Sequence, residues 1–180
     1  PPGAAWAAKN QQRVASLTLL NTTLTLRGFR LPGLVAAGIA LPWGLQRALI
    51  GDEGCARLVW SYARRHAHVR PEALDGDDGE VFRRLLLSAG GRRTAIWTVK
   101  SYWGAPAYLA RTRAALAGFT RPALVLWGAR DPFCTPRAAR RLAGLIPGSR
   151  LDFVGGASHF LPEDAPAEAA RRLEEFWEKG

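Results

Sequence analysis

Two strand-like runs, PALVLWG (122–128) and RLDFVGG (150–156), flank a single amphipathic segment, TPRAARRLAGLIPG (135–148), and this order restricts the fold more than any other part of the chain. Short runs that begin at proline or stop at glycine suit strands, whereas the segment between them has the signals of a helix. Thr135 stands at its N-cap, Pro136 at the first helical position where a missing N–H costs nothing, and Pro147-Gly148 just past its end. A strand, a helix and a second strand make a crossover unit, and such units build parallel sheets. The closing segment APAEAARRLEEFWEKG (165–180) adds a helix whose apolar side carries Ala169, Leu173, Phe176 and Trp177.

The beginning of the chain fits the same plan. RVASLTLLN (13–21) is a continuous, Leu-rich run that stops at Asn21, as a buried parallel strand would. Before it, PPGAAWAAKN (1–10) reads as a short helix of small residues with a double proline at its start. The middle of the chain holds no comparable strand: residues 30–118 read as helices broken by RLPG, LPWG, DGDDG, AGG and WGAP. The fold class is therefore α/β, a parallel sheet carrying a helical insert.

Composition narrows the function classes. With 180 residues, 48% of them hydrophobic, the chain can bury one substantial core. No apolar run reaches the roughly 20 residues of a membrane span, and the first ten residues lack the features of a signal peptide, so a cytoplasmic protein without a membrane partner is expected. The net charge of +10 invites a nucleic-acid reading. Yet the basic residues are nearly all arginines scattered as pairs (Arg64-Arg65, Arg83-Arg84, Arg92-Arg93, Arg140-Arg141, Arg171-Arg172), with no recognition module beside them, so no nucleic-acid partner is expected. Cys55 and Cys134 are too few for a disulfide framework and suit reduced thiols. His66 and His68 lie two residues apart, which turns their rings to different faces of a helix, and no third ligand accompanies them. No metal site or cofactor is expected.

The remaining histidine is better placed. Functional groups in open α/β sheets gather beyond the carboxyl ends of the strands. Asp131 comes three residues after Gly128, and His159 three after Gly156, so both occupy loops on the same edge of the sheet. An aspartate accepting from Nδ1 would hold the imidazole in one tautomer and stabilise its protonated form, which is what a general base needs.

RPALVLWGARDPF (121–133) followed by GGASHFLPEDAP (155–166) resembles the closing half of the α/β-hydrolase fold, most closely its haloalkane dehalogenase and epoxide hydrolase branch. The resemblance implies that Asp131 is the triad acid and His159 the triad histidine. It also implies that residues 1–29 and 119–180 are hydrolase core and that residues 30–118 are the helical cap. Members of this branch act on small apolar substrates such as haloalkanes or epoxides, and related enzymes act on esters. Their cap tryptophans bind halide and their cap tyrosines bind the epoxide oxygen, so IWTVKSYWG (96–104) offers Trp97, Tyr102 and Trp103 as pocket candidates among the aromatics of the insert, which also include Trp43 and Trp60.

One part of the family pattern is missing. The nucleophile of these enzymes sits on a strained elbow of the G-x-S-x-G type, with Asp for Ser in the dehalogenase and epoxide hydrolase branch, and no such motif occurs here. PPGAAWAA resembles the helix that follows the elbow, which implies a nucleophile upstream of Pro1. Neither cysteine follows a strand in an elbow setting. The expectation is a hydrolase portion that is inactive by itself, with an open, Leu-rich strand edge prone to self-association. The alternative is a non-catalytic module that binds a small ligand or a partner chain.

Overall fold

The computed structural model describes residues 2–25, 30, 33, 37, 40–42, 44, 45, 48, 51–88, 90, 91, 93, 94, 97, 98, 101 and 105–179. The chain divides into two compact units, one formed by Pro1–Arg30 with Pro106–Gly180 and the other by Leu31–Ala105. In chain order the elements are α1 (Pro2–Lys9), β1 (Leu17–Leu20), α2 (Gly51–His66), α3 (Asp77–Leu87), α4 (Pro106–Ala117), β2 (Ala123–Gly128), α5 (Pro136–Leu145), β3 (Arg150–Val154), α6 (Leu161–Asp164) and α7 (Pro166–Lys179). Among the described residues no helix is long and apolar enough to cross a membrane.

The first unit is an α/β structure built on a three-stranded parallel sheet in the order β1-β2-β3. The central strand β2 is buried along its whole length, as a strand covered on both faces must be. Because side chains alternate along a strand, its residues divide between two cores. Ala123, Val125 and Trp127 point into a core shared with Ala4, Ala7 and Ala8 of α1, Leu109 and Leu116 of α4, and Ala138, Ala139 and Leu142 of α5. Leu124 and Leu126 point the other way, to Val154, Leu161, Ala169 and Phe176. The small side chains of α1 let that helix pack closely, chiefly against α4.

Several segments depart from the sequence reading. Only Leu17–Leu20 of the run 13–21 pairs as a strand, because Gln11–Arg13 winds into a 3-10 turn instead. Thr135 occupies the N-cap of α5 in extended conformation, but its side chain makes no capping bond. Trp177, placed on the apolar side of the last helix, is 57% exposed while Phe176 is buried. Neighbouring helical positions are 100° apart, so the core accepts one of these two rings and not both. The helix Pro106–Ala117, grouped with the insert in the sequence reading, packs by Leu109 and Leu116 into the core of the first unit.

In the second unit, α2 and α3 are joined through a 3-10 turn, Pro71–Leu74. Trp60 of α2 meets Phe82 of α3 with ring centroids 5.6 Å apart, and Arg64 pairs with Asp75. His66 is exposed at the end of α2 whereas His68, beyond that end, is 6% exposed.

Candidate active site

The candidate site lies where β1, β2 and β3 end. Beyond Gly128 the chain turns at once, with the Asp131 amide donating to the Gly128 carbonyl at 3.2 Å. Two bonds stitch this turn to the loop after β3: the Ala129 amide donates to the Val154 carbonyl at 2.9 Å, and the Arg130 amide to the Ala157 carbonyl at 3.0 Å. The indole N–H of Trp127 donates to the Cys134 carbonyl at 2.7 Å, which closes the acid loop from below. Across the gap, the Ser158 amide donates to Oδ2 of the buried Asp164 at 2.7 Å, so the histidine loop is held by its own acid.

The two loops can meet because residue 128 has no side chain. A Cβ there would lie 2.0 Å from the Ser158 carbonyl oxygen and 2.8 Å from that of Ala157. Both obstacles are backbone, so no rotamer change relieves them. Glycine at 128 thus serves the approach of the histidine loop to the acid.

That approach brings His159 Nδ1 to 2.9 Å from Asp131 Oδ2. A carboxylate accepts and does not donate, so Nδ1 carries the shared hydrogen, and in the neutral imidazole Nε2 keeps its lone pair. The Asp131 side chain is wholly buried and the His159 side chain 27% exposed, which leaves the imidazole accessible and its partner protected. Phe133 and Phe160 meet the imidazole edge to face, with centroids 5.1 and 5.3 Å away. Three further donors reach the carboxylate: the Phe133 and Cys134 amides bond Oδ1 at 2.8 and 2.9 Å, and the side-chain amide of Asn21 bonds Oδ2 at 2.7 Å.

Cys134 shares this corner. Its sulfur, the Asp131 carboxylate and the His159 ring all lie within 4.8 Å of one another, close enough to suggest a metal-binding trio. Its chemistry does not fit one. The four donors on Asp131 occupy the four lone-pair positions that a carboxylate offers, and the ligand form of cysteine is the thiolate. Burial, followed by the nearby Asp131 charge, pushes the Cys134 thiol well above the usual range. The same shift makes it a poor nucleophile at neutral pH.

Residues 1–166 match the family model described as the alpha/beta hydrolase fold. The chain belongs to that family. Solved structures with the same fold include Cfl2 from Burkholderia cenocepacia, 21% identical with a TM-score of 0.73 over 95% of this chain and 60% of the other. An enol-lactonase from Burkholderia xenovorans LB400 is 21% identical with a TM-score of 0.66 over 97% of this chain and 60% of its own. A thermophilic esterase from Thermogutta terrifontis is 22% identical with a TM-score of 0.61 over 98% and 60%. This α/β-hydrolase chain therefore spans about 60% of the length of these structures. A comparison with curated protein sequences finds no match.

Of the residues singled out in the sequence of this α/β-hydrolase chain, the structure brings Asp131 and His159 into direct contact. Trp97 belongs to the other unit and is 61% exposed, while Tyr102, Trp103 and Trp43 lie outside the described residues. Sequence reasoning missed Gly128 as the point of loop contact, Asp164 as the anchor of Ser158, and Asn21 as the fourth donor to Asp131. For Asn21 a signal existed: a polar amide ending an otherwise apolar strand, on the edge where Asp131 and His159 follow the other two.

Proposed function

We propose that this chain supplies the acid and base of a hydrolase acting on small apolar esters or lactones, with the nucleophile contributed by chain upstream of Pro1. The observation that carries the reading is the buried, four-fold bonded Asp131 carboxylate presenting Oδ2 to His159 Nδ1 at 2.9 Å. The enol-lactonase and the esterase among the structures of like fold favour acyl chemistry. In this reading a nucleophilic hydroxyl gives its proton to His159 Nε2 as it attacks the carbonyl carbon, and Asp131 stabilises the imidazolium. The imidazolium returns that proton to the leaving alkoxide. In the second half, Nε2 takes a proton from water, the resulting hydroxide attacks the acyl-enzyme, and the proton passes back to the nucleophile. In this reading the unit Leu31–Ala105 acts as the cap that selects the substrate, with Trp97, Tyr102 and Trp103 as its pocket candidates.

The haloalkane or epoxide branch uses the same pair differently. A carboxylate nucleophile attacks an alkyl carbon without losing a proton, so the histidine acts only in the hydrolysis of the enzyme ester. Intact-mass spectrometry of the full-length His159→Gln protein separates the two. Turnover of a short-chain aryl ester should fall by at least about 10³-fold. With an ester the protein should remain unmodified, because the hydroxyl has no base. A stable adduct with a haloalkane or an epoxide would instead establish a carboxylate nucleophile. Undiminished ester turnover in His159→Gln would remove His159 from the mechanism.

A further inference from the structure

We infer that Asn21 is a positioning residue for the acid-base pair, fixing the Asp131 carboxylate and the His159 loop with one side chain. The inference deepens the hydrolase reading and rests on it. Asn21 follows β1 directly and is 8% exposed. Its two amide hydrogens go to two acceptors: Asp131 Oδ2 at 2.7 Å and the Ser158 carbonyl at 3.0 Å. Its Oδ1 accepts from the Gly128 amide at 3.2 Å. A carboxylate and a carbonyl only accept, and a backbone amide only donates, so these partners determine which end of the side chain is nitrogen. One planar group thus joins the ends of all three strands.

Only glutamine carries the same donor and acceptor set, on a stem one carbon longer that would displace it from these partners. Serine and threonine have one hydrogen to give, aspartate as the anion has none, and leucine has no polar atom. The backbone is adapted to the task as well: Asn21 has a φ of +36°, the one non-glycine residue with a positive φ among the described residues. That conformation costs an ordinary residue about 1–2 kcal/mol, and asparagine is among the residues that best tolerate it. Strain retained at a buried residue that touches the proposed acid fits a functional constraint better than a packing one.

The consequence for chemistry follows from which oxygen is held. Oδ1 of Asp131 is fixed by its own loop, through the Phe133 and Cys134 amides. Oδ2, the oxygen that meets His159, has Asn21 as its other donor. Without Asn21 the carboxylate can pivot about the fixed Oδ1, and the loop bearing His159 loses its bond at Ser158. Nε2 would then be aimed less well at the nucleophile, and small errors of aim in a reacting group are costly.

Two variants of the full-length enzyme test this. Asn21→Gly accepts the left-handed backbone, so its defect reports the lost side chain. We expect kcat to fall roughly 10- to 100-fold with KM within about twofold, because substrate contacts are untouched. Asn21→Asp keeps the shape and carries the test should Asn21→Gly not fold. As the neutral acid it can still donate one hydrogen to Asp131; as the anion it faces that carboxylate across a 2.7 Å gap. Its kcat relative to wild type should therefore decline as pH rises, while the Asn21→Gly ratio stays level. The titratable groups around it are Asp131, His159, Cys134 and Asp164; all are present in Asn21→Gly as well, whose ratio is the baseline against which the added charge of Asn21→Asp is read. Asn21→Gly turning over within twofold of wild type, or an Asn21→Asp ratio independent of pH, would overturn the inference. A His159→Ala control that keeps wild-type turnover would instead overturn the hydrolase reading, and this inference with it.

Discussion

The carboxyl edge of the sheet and the helices of the insert both place side chains against their preference for water, in opposite ways. At the sheet edge Asp131, Ser158 and Asn21 are buried, and each has hydrogen-bond partners in the loops around it. On α3 of the insert, Val81 and Leu85 are 53% and 63% exposed, beside an open hollow lined by Val81, Arg84 and Leu85. The first region spends its polar groups on one another and so has a single low-energy arrangement. The second holds apolar side chains turned to the outside. The proposed function assigns chemistry that depends on an angle to the first kind of region and choice among apolar substrates to the second.

The largest effect should come from breaking the edge where it has no slack. Gly128→Ala puts a methyl group 2.0 Å from the Ser158 carbonyl oxygen, and neither loop can yield without parting from the other. The loss should be about 3 kcal/mol or more, in the range of backbone strain combined with broken buried bonds. Urea melts of the two proteins measure it. A loss below about 1 kcal/mol would mean that the loops have freedom that the bonding pattern denies them.

That edge was partly legible before the structure. The alternation of strand and helix placed Asp131 and His159 three residues beyond strand ends, and strand ends on one edge of a parallel sheet are neighbours whatever the intervening sequence. The insert offered no such rule, since helices broken by Gly and Pro state their own limits and not their partners. What escaped the reading at the edge was also tertiary. Asn21 bonds residues 110 and 137 positions away, and Gly128 matters for a carbonyl in the following loop. Even β1 was misjudged for this reason: Arg13 and Val14 look no less strand-like than Leu17, but the pairing begins only opposite Ala123.

A middle-sized effect is expected at Cys134, and it tests whether closeness to the pair means participation in it. The side chain is 3% exposed, while the bonds its residue makes to Asp131 and Trp127 use the backbone and survive substitution. Cys134→Ala should cost about 1–2 kcal/mol through the small cavity it leaves. Turnover of the full-length protein should stay within about twofold, since a thiol kept protonated by burial supplies neither nucleophile nor charge. Iodoacetamide at pH 8 should leave Cys134 unmodified in the folded protein. Labelling of Cys134 together with loss of turnover would make it part of the machinery and erase the distinction between the bonded pair and its neighbour.

The smallest effect on stability, and the sharpest test of the insert, belongs to Trp97. With 61% of the residue exposed, Trp97→Ala gives up little burial and should change stability by no more than about 0.5 kcal/mol. If the insert selects substrates through this ring, the cost appears elsewhere: KM for a bulky apolar ester should rise several-fold while KM for an acetate ester, which has little apolar surface to lose, stays level. kcat should be nearly the same for both, since the His159 and Asp131 geometry lies in the other unit. Equal kinetics for both esters would remove Trp97 from the pocket candidates. A fall in kcat for both would be more damaging, because it would tie the chemistry to a residue of the insert and end the separation between a bonded edge that reacts and an apolar surface that chooses.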